Sequence, residues 1–127
     1  MDFVCEGRAF LVSGFPFSPA PHLWFILCHP SPTTGKIVAV MVVTERPHTD
    51  KTVTLAAGDH PFIKHRSNVD FGGALLVDVR RLHDAIRDRR CTLQPDMSPE
   101  LLVKVREGLI QSSRTVDYIR EYCSTEF

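Results

Sequence analysis

Apolar residues fall into short runs over the first two-thirds of the chain and into helical stripes over the last third. Ala9 to Val12 is a brief apolar run closed by Ser13-Gly14. A loop from Phe15 to Pro21 follows, in which Pro16, Pro19 and Pro21 forbid regular structure. Leu23 to Cys28 (LWFILC) is apolar and aromatic without a break, the pattern of a strand buried on both faces. His29 to Lys36 (HPSPTTGK) is turn chemistry, and Ile37 to Thr44 (IVAVMVVT) is apolar and rich in β-branched residues. These two runs predict an antiparallel hairpin. After a polar excursion from Glu45 to Lys51, Thr52 to Leu55 alternates hydroxyl and aliphatic residues as a half-buried strand does. Val69 to Val79 holds a further strand, with Gly72-Gly73 marking a bend or bulge inside it.

The period changes at Arg80. Leu82, Ala85 and Ile86 are spaced for one face of a short helix surrounded by arginines. Asp96-Met97-Ser98-Pro99-Glu100 is a helix start, with Ser98 fitting the N-cap and Pro99 the first helical position. Leu101, Leu102, Val105, Leu109 and Ile110 then form an apolar stripe. Ser112-Ser113 interrupts it before Val116, Ile119 and Tyr122, which read as a last helical turn. Strands followed by helices predict a mainly β fold with C-terminal α: a small, strongly bent sheet or barrel with helices packed on one side. The whole chain, 1–127, reads as one domain, with residues 1–79 mostly barrel strands and 80–123 helical.

Charge and cysteine content narrow the class. Fifteen basic and fifteen acidic residues cancel, so no global field draws the chain to nucleic acid or membrane. Any RNA-binding surface is therefore a local patch. Cys5, Cys28, Cys91 and Cys123 lie far apart, with neither Cys-x-x-Cys nor zinc-type spacing, and predict four structural thiols in a reduced, cytoplasmic protein. Asp2 and Glu6 flank a very short apolar start, which is not a signal sequence. The longest apolar runs fall far short of a membrane span.

The candidate chemistry concentrates in Thr52 to Ser67 (TVTLAAGDHPFIKHRS). Asp59, His60, Lys64, His65, Arg66 and Ser67 gather two histidines, two cations, a carboxylate and a hydroxyl on one loop. Histidine alone has an ordinary pKa near neutrality, so such a loop suits anion binding with proton transfer. The plainer reading is a polar connection pinned to the core by Pro61, Phe62 and Ile63, with Asp59 capping the turn. The spacing of Asp59, His60 and His65 matches no established ligand pattern, so no metal or cofactor is expected. The cluster of Arg80, Arg81, Arg87, Arg89 and Arg90 is partly neutralised by Asp84 and Asp88 and reads as a solvated helix face that could also contact phosphates.

Laid out in this order, the chain resembles the MazF/PemK-like toxin superfamily from roughly Phe10 to Ile110. Pro21-His22 precedes the strand LWFILC, HPSPTTGK makes the turn, and IVAVMVV closes on Thr44-Glu45. Ser67, followed by Asn68-Val69-Asp70-Phe71, resembles the family serine before a short strand, and a terminal helix starts at Pro99. The resemblance implies a small SH3-like barrel, cleavage of single-stranded RNA without metal, an antitoxin partner and a homodimer. It carries the family threonine over to Thr44. The family arginine before the first hairpin strand is missing: His22 stands near its place, and Arg46 is the nearest arginine on the following side. The family motif also does not include GDHPFI, which marks a distinct branch.

Metal-independent RNA cleavage needs a base, an acid and a cation near the phosphate. The expected catalytic residues are His22, Thr44 and His60. Arg46, Lys64, His65, Arg66 and Ser67 are the expected substrate-binding residues. Antiparallel pairing of the hairpin puts His22 and Thr44 at the same open end. Two alternatives remain: a non-catalytic SH3-like module that binds a protein or peptide through the same groove, and a different phosphodiesterase built on the histidines.

Overall fold

The computed structural model describes residues 4–13 and 21–127. The proline-broken loop expected from Phe15 lies, apart from Pro21, outside the described residues. The strands are β1 (Ala9–Val12), β2 (His22–Ile26), β3 (Lys36–Thr44), β4 (Thr54–Leu55), β5 (Ser67–Asp78) and β6 (Cys91–Gln94). The helices are α1 (Val79–Arg87), α2 (Pro99–Gln111) and α3 (Asp117–Glu126). The strands form one antiparallel sheet in the order β4-β5-β3-β2-β1-β6. It is curled into a half-barrel, with β4 and β6 left as its edges rather than sealed to one another.

The hairpin forms as its apolar runs require: Trp24 pairs with Met41 and Ile26 with Ala39. Every residue from Leu23 to Cys28 is buried, because both faces of β2 are covered. Leu23, Phe25 and Leu27 pack with Leu101, Val105 and Leu109 of α2 and with Ile119 and Cys123 of α3. Trp24 and Ile26 pack in a second cluster with Phe10, Val12, Ile37 and Ala85, the last from α1. The helices therefore cover two faces and not one. The cause lies in β5, which runs straight into α1. Asp78 caps the helix by accepting a hydrogen bond from the Arg80 backbone at 2.9 Å.

The bulge expected at Gly72-Gly73 is present and large. Ala39 and Met41 of β3 oppose Leu75 and Asp70 of β5, so β5 carries extra residues between them. Their odd number reverses the side-chain alternation. Before the bulge, Val69 and Phe71 face α2 and α3; beyond it, Ala74 does so while Val77 turns to the other cluster. A Cβ on Gly73 would meet Asp70 Oδ2 at 2.6 Å.

Three elements differ from the sequence expectation. Thr52 and Val53 stand outside β4: Asp50 Oδ1 accepts hydrogen bonds from the Thr52 backbone N–H (2.9 Å) and hydroxyl (2.6 Å) and bends the chain there. The last turn is a full helix, α3. Strand β6 was not expected at all. It follows α1 through a left-handed Arg89 (φ 61°), whose N–H reaches Ile86 O while that of Arg90 reaches Ala85 O. This is a Schellman ending with arginine in the place glycine usually takes. Helix α2 begins as expected, Ser98 Oγ accepting from Leu101 N–H at 3.1 Å. Ile110 departs from the expected stripe and is exposed.

Two contacts set α2 on the sheet. At Gly108 the helix backbone comes so close that a Cβ would lie 2.4 Å from Val53 Cγ2 and 2.8 Å from Phe71 Cζ. At its end, Ser112 donates from Oγ to Asp50 Oδ2. Burial pushes the Asp50 carboxyl up, but the hydrogen bonds from Ser112 and Thr52 outweigh burial and hold it below the usual carboxylate range. Cys28, Cys91 and Cys123 are buried and free. Burial pushes the Cys91 and Cys123 thiols up to about 12, which leaves them as packing residues and not nucleophiles.

Two outcomes follow for stability. Gly108→Ala should cost about 1–3 kcal/mol in urea unfolding, overpacking outweighing the ~1 kcal/mol helix-propensity gain; an unchanged or higher stability would refute the close approach. Asp50 has a depressed folded pKa, so its stabilisation is present above the unfolded value and is lost as pH falls through the folded one. Asp50→Asn should be less stable than the natural chain at neutral pH, with the gap narrowing as pH falls below the ordinary carboxylate range. A gap that stays constant with pH would remove the carboxylate from this role.

Candidate functional site

The loop between β4 and β5 has an anchored half and a presented half. Asp59 Oδ2 accepts from Ala56 N–H at 2.8 Å, and Ile63 N–H donates back to His60 O at 2.9 Å, closing a compact turn. Ile63 and His60 are buried, His60 at 1 % exposure. The His60 ring lies 5.8 Å from that of Phe25. Its Nδ1 accepts the Phe62 N–H at 3.1 Å, which fixes the proton on Nε2 for donation to Pro95 O at 2.6 Å. The expected role of His60 in proton transfer is therefore corrected. Both ring nitrogens are consumed by backbone partners, and the side chain ties the loop to the segment before α2.

The presented half, Lys64 to Arg66, is exposed. His65 Nε2 lies 2.9 Å from Thr44 Oγ1, at the end of β3, and either atom can be the donor. Ser67 Oγ donates to His65 O at 2.9 Å and holds the backbone beneath the ring. Thr44 pairs in register with Ser67, so the hydroxyls stand on adjacent strands. His22, half-buried at the start of β2, comes to the same end of the sheet, as hairpin pairing requires.

These groups line a cleft of about 210 Å³ bounded by Pro21, His22, Val43, Thr44, Phe62, Lys64, His65 and Ser67. The structure thus joins His22, Thr44, Lys64, His65 and Ser67. It leaves out His60, Arg46 and Arg66. Arg66 Nε donates to Glu45 Oε2 at 2.7 Å, and Arg46 Nη1 to Glu45 O at 3.3 Å. Glu45 is also held by Asn68 Nδ2 at 3.1 Å; that bond, followed by Arg66, keeps its carboxyl below the usual range against the opposing effect of burial. Lys64 is the one cation lining the cleft among the described residues.

Sequence reading placed His65 among the binding residues and did not foresee its pairing with Thr44. The signal was its position two residues before Ser67, which opens the strand beside Thr44. Asn68, which in the sequence is only the residue after Ser67, has a bracing role of its own. It is fully buried and bonded to Thr49, Glu45 and Thr54, where it braces the turn behind the cleft.

Among the described residues no group of three or more His, Cys, Asp and Glu side chains could hold a metal ion. No helix among them is long and apolar enough to cross a membrane. Protein-family models, curated proteins and solved structures give no match to this chain. What fold and site define is a curled antiparallel sheet with helices on both faces and a hydroxyl–histidine cleft at one end.

The buried role of His60 has a direct check. His60→Ala should lower stability by about 2–4 kcal/mol, from a cavity plus two backbone groups left unpaired. Full stability in thermal unfolding would contradict that assignment.

Proposed function

We propose that the cleft cleaves single-stranded RNA without a metal ion, in the manner of a divergent MazF/PemK-like toxin. The observation that carries this reading is the 2.9 Å contact between Thr44 and His65 in a cleft that His22 and Lys64 also line. His65 takes the place expected of His60. With two histidines lining the cleft, one removes the 2′-hydroxyl proton and the other protonates the leaving 5′-oxygen. The 2′-oxygen then bonds to phosphorus as the P–O5′ bond breaks, leaving a 2′,3′-cyclic phosphate. Lys64 and the Thr44 hydroxyl meet the charge that grows on the phosphoryl oxygens, while Ser67, whose proton goes to His65 O, holds the backbone beneath the ring. Histidine lacks arginine's permanent forked charge, so phosphate binding falls to Lys64.

A second reading is favoured by one observation. Both arginines nearest the cleft are directed to Glu45, which leaves a weakly charged groove suited to a protein or peptide partner such as an antitoxin.

Incubation with mixed-sequence RNA separates the two readings. The nuclease should cut in EDTA and leave cyclic or 3′-phosphate ends, with a bell-shaped pH dependence from its acid and base. His22→Ala and His65→Ala should each slow cleavage by ~10²–10⁴ while the fold survives. Cleavage that requires a divalent ion, or that is indifferent to both substitutions, would overturn the mechanism. Absence of cleavage by intact protein would leave the docking groove as the better account.

A further inference from the structure

A second concavity, of about 400 Å³, lies beneath α1 on the other face of the sheet. Its floor is apolar: Phe10, Trp24, Ile26, Ile37 and Ala39, each at most 4 % exposed. Protein interiors leave few voids larger than a water molecule, whereas small-molecule pockets run to ~300–1,000 Å³. This space is thus the size of a binding pocket and well beyond a packing defect. Helix α1 is short and is tied to the sheet at its two ends, by β5 before it and by β6 after it. Only Ala85 of that helix is fully buried over the sheet.

The mouth carries the polar groups. Arg81, Asp84 and Arg90 line it. The Asp84 carboxylate is engaged by Arg87 at 2.7 Å, and Arg90 reaches only Asp88, at 3.7 Å. Arg81 has no ion-pair partner among the described residues. An apolar floor with guanidinium at the rim complements an apolar body that ends in an anion. Guanidinium binds carboxylate in a fixed forked geometry and is always charged. We infer that the cavity beneath α1 binds an apolar monocarboxylate, its tail against Trp24 and Ile26 and its carboxylate at Arg81 and Arg90. The pocket is independent of the cleft chemistry.

Trp24, the chain's single tryptophan, forms part of the wall and reports occupancy directly. Decanoate, below its aggregation concentration, should give a saturable change in tryptophan emission; decyltrimethylammonium, with the same tail and the opposite charge, should bind at least about tenfold more weakly. Arg81→Glu should weaken decanoate by about three- to tenfold and leave 1-decanol unaffected. Ala39→Leu, which fills the floor, should remove the saturable response to all three probes. No saturable change with decanoate, equal affinity for the cationic probe, or indifference to Arg81→Glu would each overturn the assignment. The exposed position of Arg81 keeps the test valid if Ala39→Leu fails to fold.

Discussion

The bulge in β5 is the constraint on which the other features depend. Without extra residues between Asp70 and Leu75, the strand would present the same alternation along its whole length. Val77 would then turn to α2 and Ala74 away from it. With the bulge, the first half of β5 supplies Phe71 to the α2 side, and the second half delivers the chain to α1 on the opposite side. Gly73 makes this affordable in space, since the Asp70 carboxylate occupies the position of a Cβ. A bulge also adds local twist, which suits a sheet that curls without closing. The cleft at the Ser67 end and the cavity beneath α1 sit on either side of this one irregularity.

The cleft illustrates how a polar loop is divided between folding and chemistry. His60 and Ile63 face inward, and the imidazole replaces backbone partners that a loop of this shape cannot otherwise find. A buried polar group with all its hydrogen bonds made rigidifies its surroundings. On that base His65 stands exposed yet oriented by Thr44, with Ser67 fixing the backbone under the ring. Glu45 performs the opposite service by drawing Arg66 away. Exposed ion pairs of this kind add little to stability, so the consequence of the Arg66 pair is electrostatic: it leaves Lys64 as the cation lining the cleft among the described residues.

Periodicity made most of the architecture legible. LWFILC and IVAVMVVT are long and apolar enough to fix a central hairpin, and the Ser98-Pro99 start fixed α2. Strand β6 was hidden because Arg89 makes a turn that a glycine would have announced, and because CTLQ, although it alternates apolar and polar residues, is only four residues long. Helices on both faces were hidden because the parity reversal depends on the number of residues in the bulge, and a Gly-Gly pair does not specify that number. In the site, His22 and Thr44 followed from hairpin geometry alone. The exchange of His60 for His65 did not, since two histidines five residues apart in a loop differ only in which way the tertiary fold turns them. The cavity beneath α1 is equally invisible in sequence, because a void is a property of how elements meet.

The central claim is that His22, Thr44, Lys64, His65 and Ser67 form one preorganised phosphodiester site. The most direct measurement is a chemical-shift titration of the isotopically labelled protein with short RNA carrying 2′-deoxyribose at every position, so that binding proceeds without cleavage. The account predicts saturable shifts centred on those five residues, with the His60 ring signals unmoved. Shifts confined to the arginines of α1, or none at all in the cleft, would contradict it.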